Sequence, residues 1–143
     1  RAQLSLLPVD PAAPIVAQFG HLWPAPLSLV VPLRRPLPAA LGESTAAIRI
    51  PDHALLRELL CALGVPLTAT SANRAGEPPA LGVEEAAALL AELDEAWVVD
   101  GGTLPGGLPS TLVAMVGSEV RMVRQGRFPI ARLVPAGQGE SPA

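Results

Sequence analysis

The chain has 143 residues, a length that fits one domain able to bury roughly two-thirds of its unfolded surface. Half of its residues are apolar, but no apolar run approaches the 18 residues of a membrane span and no charged segment leads into an apolar leader, so a soluble cytoplasmic protein is expected. The net charge of −3 speaks against a broad nucleic-acid face, the single Cys61 excludes an internal disulfide, and the ten basic residues are all arginine, which excludes a Schiff-base lysine or a lysine-containing phosphate loop.

Residues 4–9 read as a short strand. Asp10 is a candidate N-cap, with Pro11 at the first helical position, for a helix running through Ile15, Val16, Phe19 and Leu22 until Trp23-Pro24-Ala25-Pro26 ends it. Residues 27–33 form a β-rich run, and residues 45–50 another, closed by Pro51. The pattern over residues 52–63 predicts the clearest helix: Asp52 can cap it, Leu55, Leu56, Leu59, Leu60 and Leu63 make an apolar stripe, and Gly64 stops it. Cys61 lies among these leucines and is expected in the core. Residues 65–70 then read as a strand that opens into the polar turn of Thr70, Ser71 and Asn73 and the breaker Gly76-Glu77-Pro78-Pro79.

A second helix is predicted over residues 83–93, with its acids at the N-terminal end where the helix dipole favours them. Residues 96–99 read as a short strand before Asp100-Gly101-Gly102, and Asp100 is expected to cap that turn. Residues 110–116 and 119–124 form a predicted hairpin about Gly117-Ser118, placing Thr111, Val113 and Met115, and Val120, Met122 and Arg124, on alternate positions. A helical piece near residues 129–133 and a frayed tail over 135–143 complete the chain. Helices alternate with strands, and the hairpin interrupts the pattern. The expected fold is therefore α/β, a twisted mixed parallel and antiparallel sheet with helices on its faces.

Polar side chains collect at the ends of the predicted strands. Thr45 and Arg49 stand four residues apart on one strand and so share a face; Ser71 and Asn73 end the next; Ser110 and Thr111 start another; Arg124 ends the last. Two arginines and several hydroxyls, with no neighbouring His–Asp pair, do not form an acyl-transfer site. They fit a site that grips anions and small polar groups, with arginine forks for carboxylate or phosphate and hydroxyls for ribose or phosphate oxygens. Taken singly, each arginine also reads as a solvated strand-end charge. His21 and His53 are lone residues with structural or surface roles, and no Cys/His/Asp cluster has metal-ligand spacing.

Six blocks occur in order: W-P-A-P-L-S-L-V at 23–30, A-A-I-R-I-P at 46–51, A-T-S-A-N-R-A-G-E-P at 69–78, D-G-G at 100–102, S-T-L-V at 110–113 and V-R-Q-G at 123–126. Together they resemble the threonylcarbamoyl-AMP synthase family, the YrdC-like domain, over roughly residues 4–126. The resemblance implies a YrdC-like mixed sheet around a concave, positively charged site. It also implies condensation of L-threonine, bicarbonate and ATP to threonylcarbamoyl-AMP and pyrophosphate, for modification of tRNA to threonylcarbamoyladenosine. Carried over position by position, Thr45, Ser71 and Asn73 fall at ATP-contacting positions and Arg124 on the phosphate side of ATP. Pro79 falls where the family usually has a small hydroxyl residue near ATP. Arg49 matches the arginine that holds the threonine carboxylate, Ala69 lines the same pocket through its backbone, and Ser110 is another threonine-side position.

Magnesium is implied as a bridge between phosphates, and tRNA or a threonylcarbamoyl-transferase complex as a partner for the product. The family's upstream P-T-D-T-V-Y-G-L strand and turn, with its lysine–arginine pair, does not occur in the sequence. The expectation is therefore a YrdC-like domain over residues 1–134 that lacks this motif and has weak or no turnover. A non-catalytic nucleotide- or RNA-binding module of the same fold is the alternative. The related carbamoyl-adenylate module of hydrogenase maturation fits less well, because it tends to carry T-S-G-N where this chain has Thr70-Ser71-Ala72-Asn73.

Overall fold

The structure, a computed structural model, describes residues 2–133. They form two compact units: one runs up to Leu67 and resumes at Leu108, and the other is Thr68–Gly107.

The first unit is built on a four-stranded sheet of order β2-β1-β3-β4, where β1 is Leu27–Pro32, β2 is Thr45–Ile48, β3 is Thr111–Val116 and β4 is Glu119–Arg124. β1 pairs antiparallel with β2 and parallel with β3, and β3 pairs antiparallel with β4. The sheet is therefore mixed, as the sequence predicts. Leu27, Leu29 and Val31 alternate along β1 and are fully buried, and across the parallel ladder Leu27 faces Thr111 and Leu29 faces Val113. Helix α1 (Pro14–Phe19) covers this face with Ile15 and Phe19, and Val9, Trp23, Ala25, Phe128 and Leu133 close the core around it. Each such fully buried aliphatic contributes about 1.5–3 kcal/mol. The Trp23 indole N–H also donates to the Leu27 carbonyl at 2.7 Å, so its polar edge is satisfied inside the core.

Helix α2 (Ala54–Leu63) belongs to the same unit. Its N-cap is His53, whose Nδ1 accepts the Leu56 N–H, and it ends at Gly64 in the left-handed region. Asp52 instead lies 3.6 Å from Arg57. No residue of α2 is fully buried, and Cys61 is exposed, contrary to its expected place in the core: the described residues leave the leucine stripe only partly covered. The second unit holds α3 (Val83–Leu90), whose Glu84 and Glu85 occupy the first turn.

Three predicted strands do not form. Ala2–Leu6 is a 3₁₀ helix, and only Val9 makes an isolated bridge, to Leu33. Residues 65–70 and 96–99 are irregular, with Val65, Leu67 and Trp97 exposed, Trp97 at 91%. A strand is stabilised by the neighbour it pairs with, and neither segment finds one among the described residues. Asp10 does not cap α1, which begins after Ala13; its carboxylate accepts the Ala12 N–H and pairs with Arg34 at 2.7 Å. These two contacts, the amide first, hold its pKa below the ordinary aspartate value. The predicted tail at 135–143 lies outside the described residues.

The turn after β4 is locked onto the start of β3. Thr111 Oγ1, fully buried, donates to the Phe128 carbonyl at 2.9 Å and accepts the N–H groups of Gly126 and Phe128, both at 3.1 Å. Gly126 passes so near this strand that an added Cβ would lie 2.3 Å from the Pro109 oxygen and 2.4 Å from Thr111 N. Gly126→Ala is expected to lower the unfolding free energy by about 2–3 kcal/mol in urea melts, because backbone rather than a flexible side chain obstructs the methyl group. Gly101→Ala, which meets nothing within 4 Å, should change it by less than about 0.5 kcal/mol.

Candidate functional site

The face of the sheet opposite α1 carries the polar groups. Alternation along β1 turns Ser28 away from the buried Leu27 and Leu29. Ser110, just before β3, lies on the same face: its Oγ is 2.9 Å from Ser28 Oγ. Arg49 follows the last residue of β2 and is exposed, as are Thr45 and Ala47 on the same alternate positions, while Ile48 and Ile50 pack on the core. Leu29 pairs with Ile48, so Ser28 and Arg49 flank the same rung of the ladder.

Arg124 reaches this face because of a β-bulge. Met122 pairs with Val113, but the register then slips and Arg124, not Val123, lies opposite Leu112. Without the slip Arg124 would share the α1 face with Val113, as regular alternation in the hairpin predicts. Its guanidinium donates to the Ser110 carbonyl from Nε at 3.3 Å and from an Nη at 3.1 Å, and that Nη also approaches Ser110 Oγ at 3.4 Å. One end of the sheet therefore presents Arg49, Ser28, Ser110 and Arg124 in strand order.

Arg127 completes the group, and the sequence analysis does not identify it. Its N–H is fixed to the Pro109 carbonyl at 2.9 Å by the turn at Gly126. Desolvation first, and then the positive charges of Arg127 and Arg124, push the pKa of Arg49 below the ordinary arginine value. Arg124 and Arg127 thus both lie within electrostatic reach of Arg49. Among the described residues the ion pairs join Arg34 to Asp10, Arg57 to Asp52 and Arg74 to Glu92, and none involves these three. Uncompensated like charges on one face favour an anion that can lie between them.

Thr45 shares the open face, but at the far end of β2 opposite Pro32, roughly 13 Å from Arg49 at the usual rise per strand residue. It stands outside the row. Ala69, Ser71, Asn73 and Pro79 belong to the second unit and lie in a loop, not at the end of a strand. That loop is braced internally. Ser71 Oγ donates to Asn73 Oδ1, Asn73 Nδ2 donates to the carbonyls of Arg74 and Glu77 at 2.9 and 3.0 Å, and the Ala80 N–H closes on the Ala72 carbonyl at 2.7 Å. Asn73 has both amide protons engaged and shapes the turn that exposes Ser71. Asp100 caps its own turn through the Gly102 N–H at 2.8 Å, as expected.

The family model for Sua5, YciO and YrdC proteins, described as telomere recombination, matches residues 11–126. The chain belongs to the Sua5/YciO/YrdC family. It is 43% identical over 99 residues to a threonylcarbamoyl-AMP synthase of Chromohalobacter salexigens, covering 67% of this chain and 52% of that protein. It is 35% identical over 126 residues to a putative threonylcarbamoyl-AMP synthase of Mycobacterium leprae, covering 87% and 55%. Among solved structures it resembles P. abyssi Sua5 complexed with L-threonine, with a TM-score of 0.77 and 26% identity over 94% of this chain and 41% of that one. E. coli YciO shares the fold at a TM-score of 0.74 and 23% identity, covering 93% and 65%. The chain thus spans about half the length of the curated relatives it matches.

Family blocks explain why Arg49, Ser110 and Arg124 are visible in the sequence. Arg127, Ser28 and the Thr111–Gly126 lock are not, because their placement depends on the bulge and on a backbone contact between distant segments. Arg124→Gln and Arg127→Gln are each expected to weaken pyrophosphate binding by roughly tenfold or more in low-salt calorimetry, the loss typical of a charge-assisted contact. Arg35→Gln, remote from this face in sequence and strand position, should leave it unchanged.

Proposed function

We propose that this chain carries the amino-acid and phosphate subsites of an L-threonylcarbamoyladenylate synthase. The observation that carries the reading is the row of Arg49, Ser28, Ser110 and Arg124 on one sheet face, joined by Arg127 and, among the described residues, in no ion pair. Similarity to synthases over most of this chain supports it, as does the L-threonine complex of P. abyssi Sua5.

In this reaction the threonine nitrogen bonds to the carbon of bicarbonate with loss of water. A carboxylate oxygen of the resulting carbamate bonds to the α-phosphorus of ATP, and pyrophosphate leaves. No side chain has to form a covalent intermediate. The protein's share is to hold the threonine carboxylate, bicarbonate and the ATP phosphates close together and to offset their mutual repulsion. Arg49 takes the threonine carboxylate as a fork, with Ser110 beside it; Ala69, in the second unit, falls at a threonine-side position of the family. Arg124 faces the phosphates. Thr45 in the first unit, and Ser71, Asn73 and Pro79 in the second, fall at ATP-side positions of the family, and Asn73 acts through the loop it braces.

Magnesium enters this reading only as an ion carried on the phosphates. Among the described residues no three His, Cys, Asp or Glu side chains converge to hold a metal, and the row itself is cationic. The product would pass to tRNA or to a threonylcarbamoyl-transferase complex. Among the described residues no helix is long and apolar enough to cross a membrane, and the reading requires no membrane.

Pyrophosphate release that needs ATP, threonine and bicarbonate together is the expected activity. Arg49→Ala should abolish detectable threonine binding in calorimetry and leave ATP binding within about tenfold, since the phosphates are assigned to Arg124. Equal loss of both ligands contradicts the assigned division of labour. ATP or RNA binding by the wild-type chain that is indifferent to threonine and bicarbonate favours a non-catalytic binding module.

A further inference from the structure

The Ser28–Ser110 pair poses a question of proton bookkeeping. Ser28 and Ser110 are 9% and 6% exposed, and their hydroxyls lie 2.9 Å apart. Two hydroxyls carry two protons, and one proton is used between them. Ser110 Oγ also lies 3.4 Å from an Arg124 nitrogen, which donates into one of its lone pairs. Among the described residues neither hydroxyl meets a further acceptor, so whichever way the pair is oriented one buried hydroxyl proton is left over.

If Ser110 donates to Ser28, the spare proton belongs to Ser28 and Ser110 has none left for a ligand. If Ser28 donates to Ser110, both lone pairs of Ser110 are filled, by Ser28 and by Arg124, and its own proton is free. The neighbouring charges decide between the two. Arg124, Arg49 and Arg127 make this face positively charged, and a carboxylate, which has no proton of its own, can only accept hydrogen bonds. A bound carboxylate therefore draws the Ser110 proton, which obliges Ser28 to act as donor.

We infer that Ser28 is a positioning residue: by donating its proton to Ser110 Oγ, it turns the Ser110 hydroxyl into a donor aimed at the carboxylate of the amino acid held by Arg49. This deepens the proposed function and rests on its assignment of threonine to this face. Ser28 itself touches no ligand. It acts by removing the alternative in which Ser110 spends its proton inside the protein.

The test is a double-mutant cycle on threonine affinity, measured by calorimetry on the 143-residue chain with circular dichroism as the check on folding. Ser28→Ala should weaken threonine by roughly three- to tenfold, the range expected for losing one modest hydrogen bond. Ser28→Thr, which keeps the hydroxyl on a strand that accepts β-branched residues, should restore wild-type affinity. Ser110→Ala should weaken binding at least as much, and adding Ser28→Ala to it should cost nothing more, because Ser28 acts only through Ser110.

Wild-type affinity in Ser28→Ala, failure of Ser28→Thr to restore it, or losses that simply add in the double variant would each overturn the inference. Acetate, which offers only the carboxylate, is titrated in parallel by following the Ser110 amide resonance. A wild-type chain that ignores threonine overturns the proposed function, and the hydroxyl pair is then judged on acetate alone: a response that Ser28→Ala weakens and Ser28→Thr restores supports it, and one indifferent to Ser28 overturns it.

Discussion

The parallel pairing of β1 with β3 is the constraint on which the rest of the first unit depends. Opposite Leu27 stands Thr111, and opposite Leu29 stands Val113, all four fully buried against the α1 side. A strand has a period of two, so burying these residues commits Ser28 to the other face, where Ser110 Oγ meets it at 2.9 Å. A slip of one residue between β1 and β3 would place leucines on the open face and hydroxyls in the core. The same apolar contacts that stabilise the unit therefore fix the register of its polar face.

Two local departures from regularity then bring in the charges. The bulge in β4 moves Arg124 from the face that alternation assigns it to the one carrying Ser110. The close approach of Gly126 to Pro109, Ser110 and Thr111 holds the following turn, and with it Arg127, against the start of β3. Thr111 links both functions: its methyl side belongs to the buried layer, and its hydroxyl holds Gly126 and Phe128 by three hydrogen bonds. Side chains that look like separate motifs in sequence, S-T-L-V and V-R-Q-G, are two halves of one backbone lock.

Much of this unit was legible beforehand. The alternating Leu27, Leu29 and Val31, the hairpin about Gly117 and the leucine helix ended by Gly64 all carry local signals strong enough to appear in the fold. Residues 65–70 and 96–99 misled for a physical reason. Apolar composition gives a segment the capacity to pair, and pairing itself needs a neighbour that local sequence does not specify. Cys61 and the α2 leucines misled in the same way, since an amphipathic stripe states which side is apolar and says nothing of whether a surface covers it. At the site, Arg49, Ser110 and Arg124 were readable from family blocks. Arg127 and Ser28 became visible only through a bulge and a cross-strand contact, both of which are long-range facts.

The electrostatic consequence is a cationic row on a chain whose formal net charge is −3. Among the described residues acids pair with Arg34, Arg57 and Arg74, and none pairs with Arg49, Arg124 or Arg127. A ligand of opposite charge would relieve the repulsion felt at Arg49, and under the proposed function this ties threonine and phosphate binding to the geometry of the sheet end. The most direct measurement is a nuclear magnetic resonance titration that follows the arginine Nε–H signals and the backbone amides as threonine and pyrophosphate are added. The account predicts shifts concentrated at Ser28, Arg49, Ser110, Arg124 and Arg127, with Arg34 and Arg35 unmoved. Shifts confined to residues of α1 or to the Thr45 end of β2, with Arg49 and Arg124 unchanged, would contradict it.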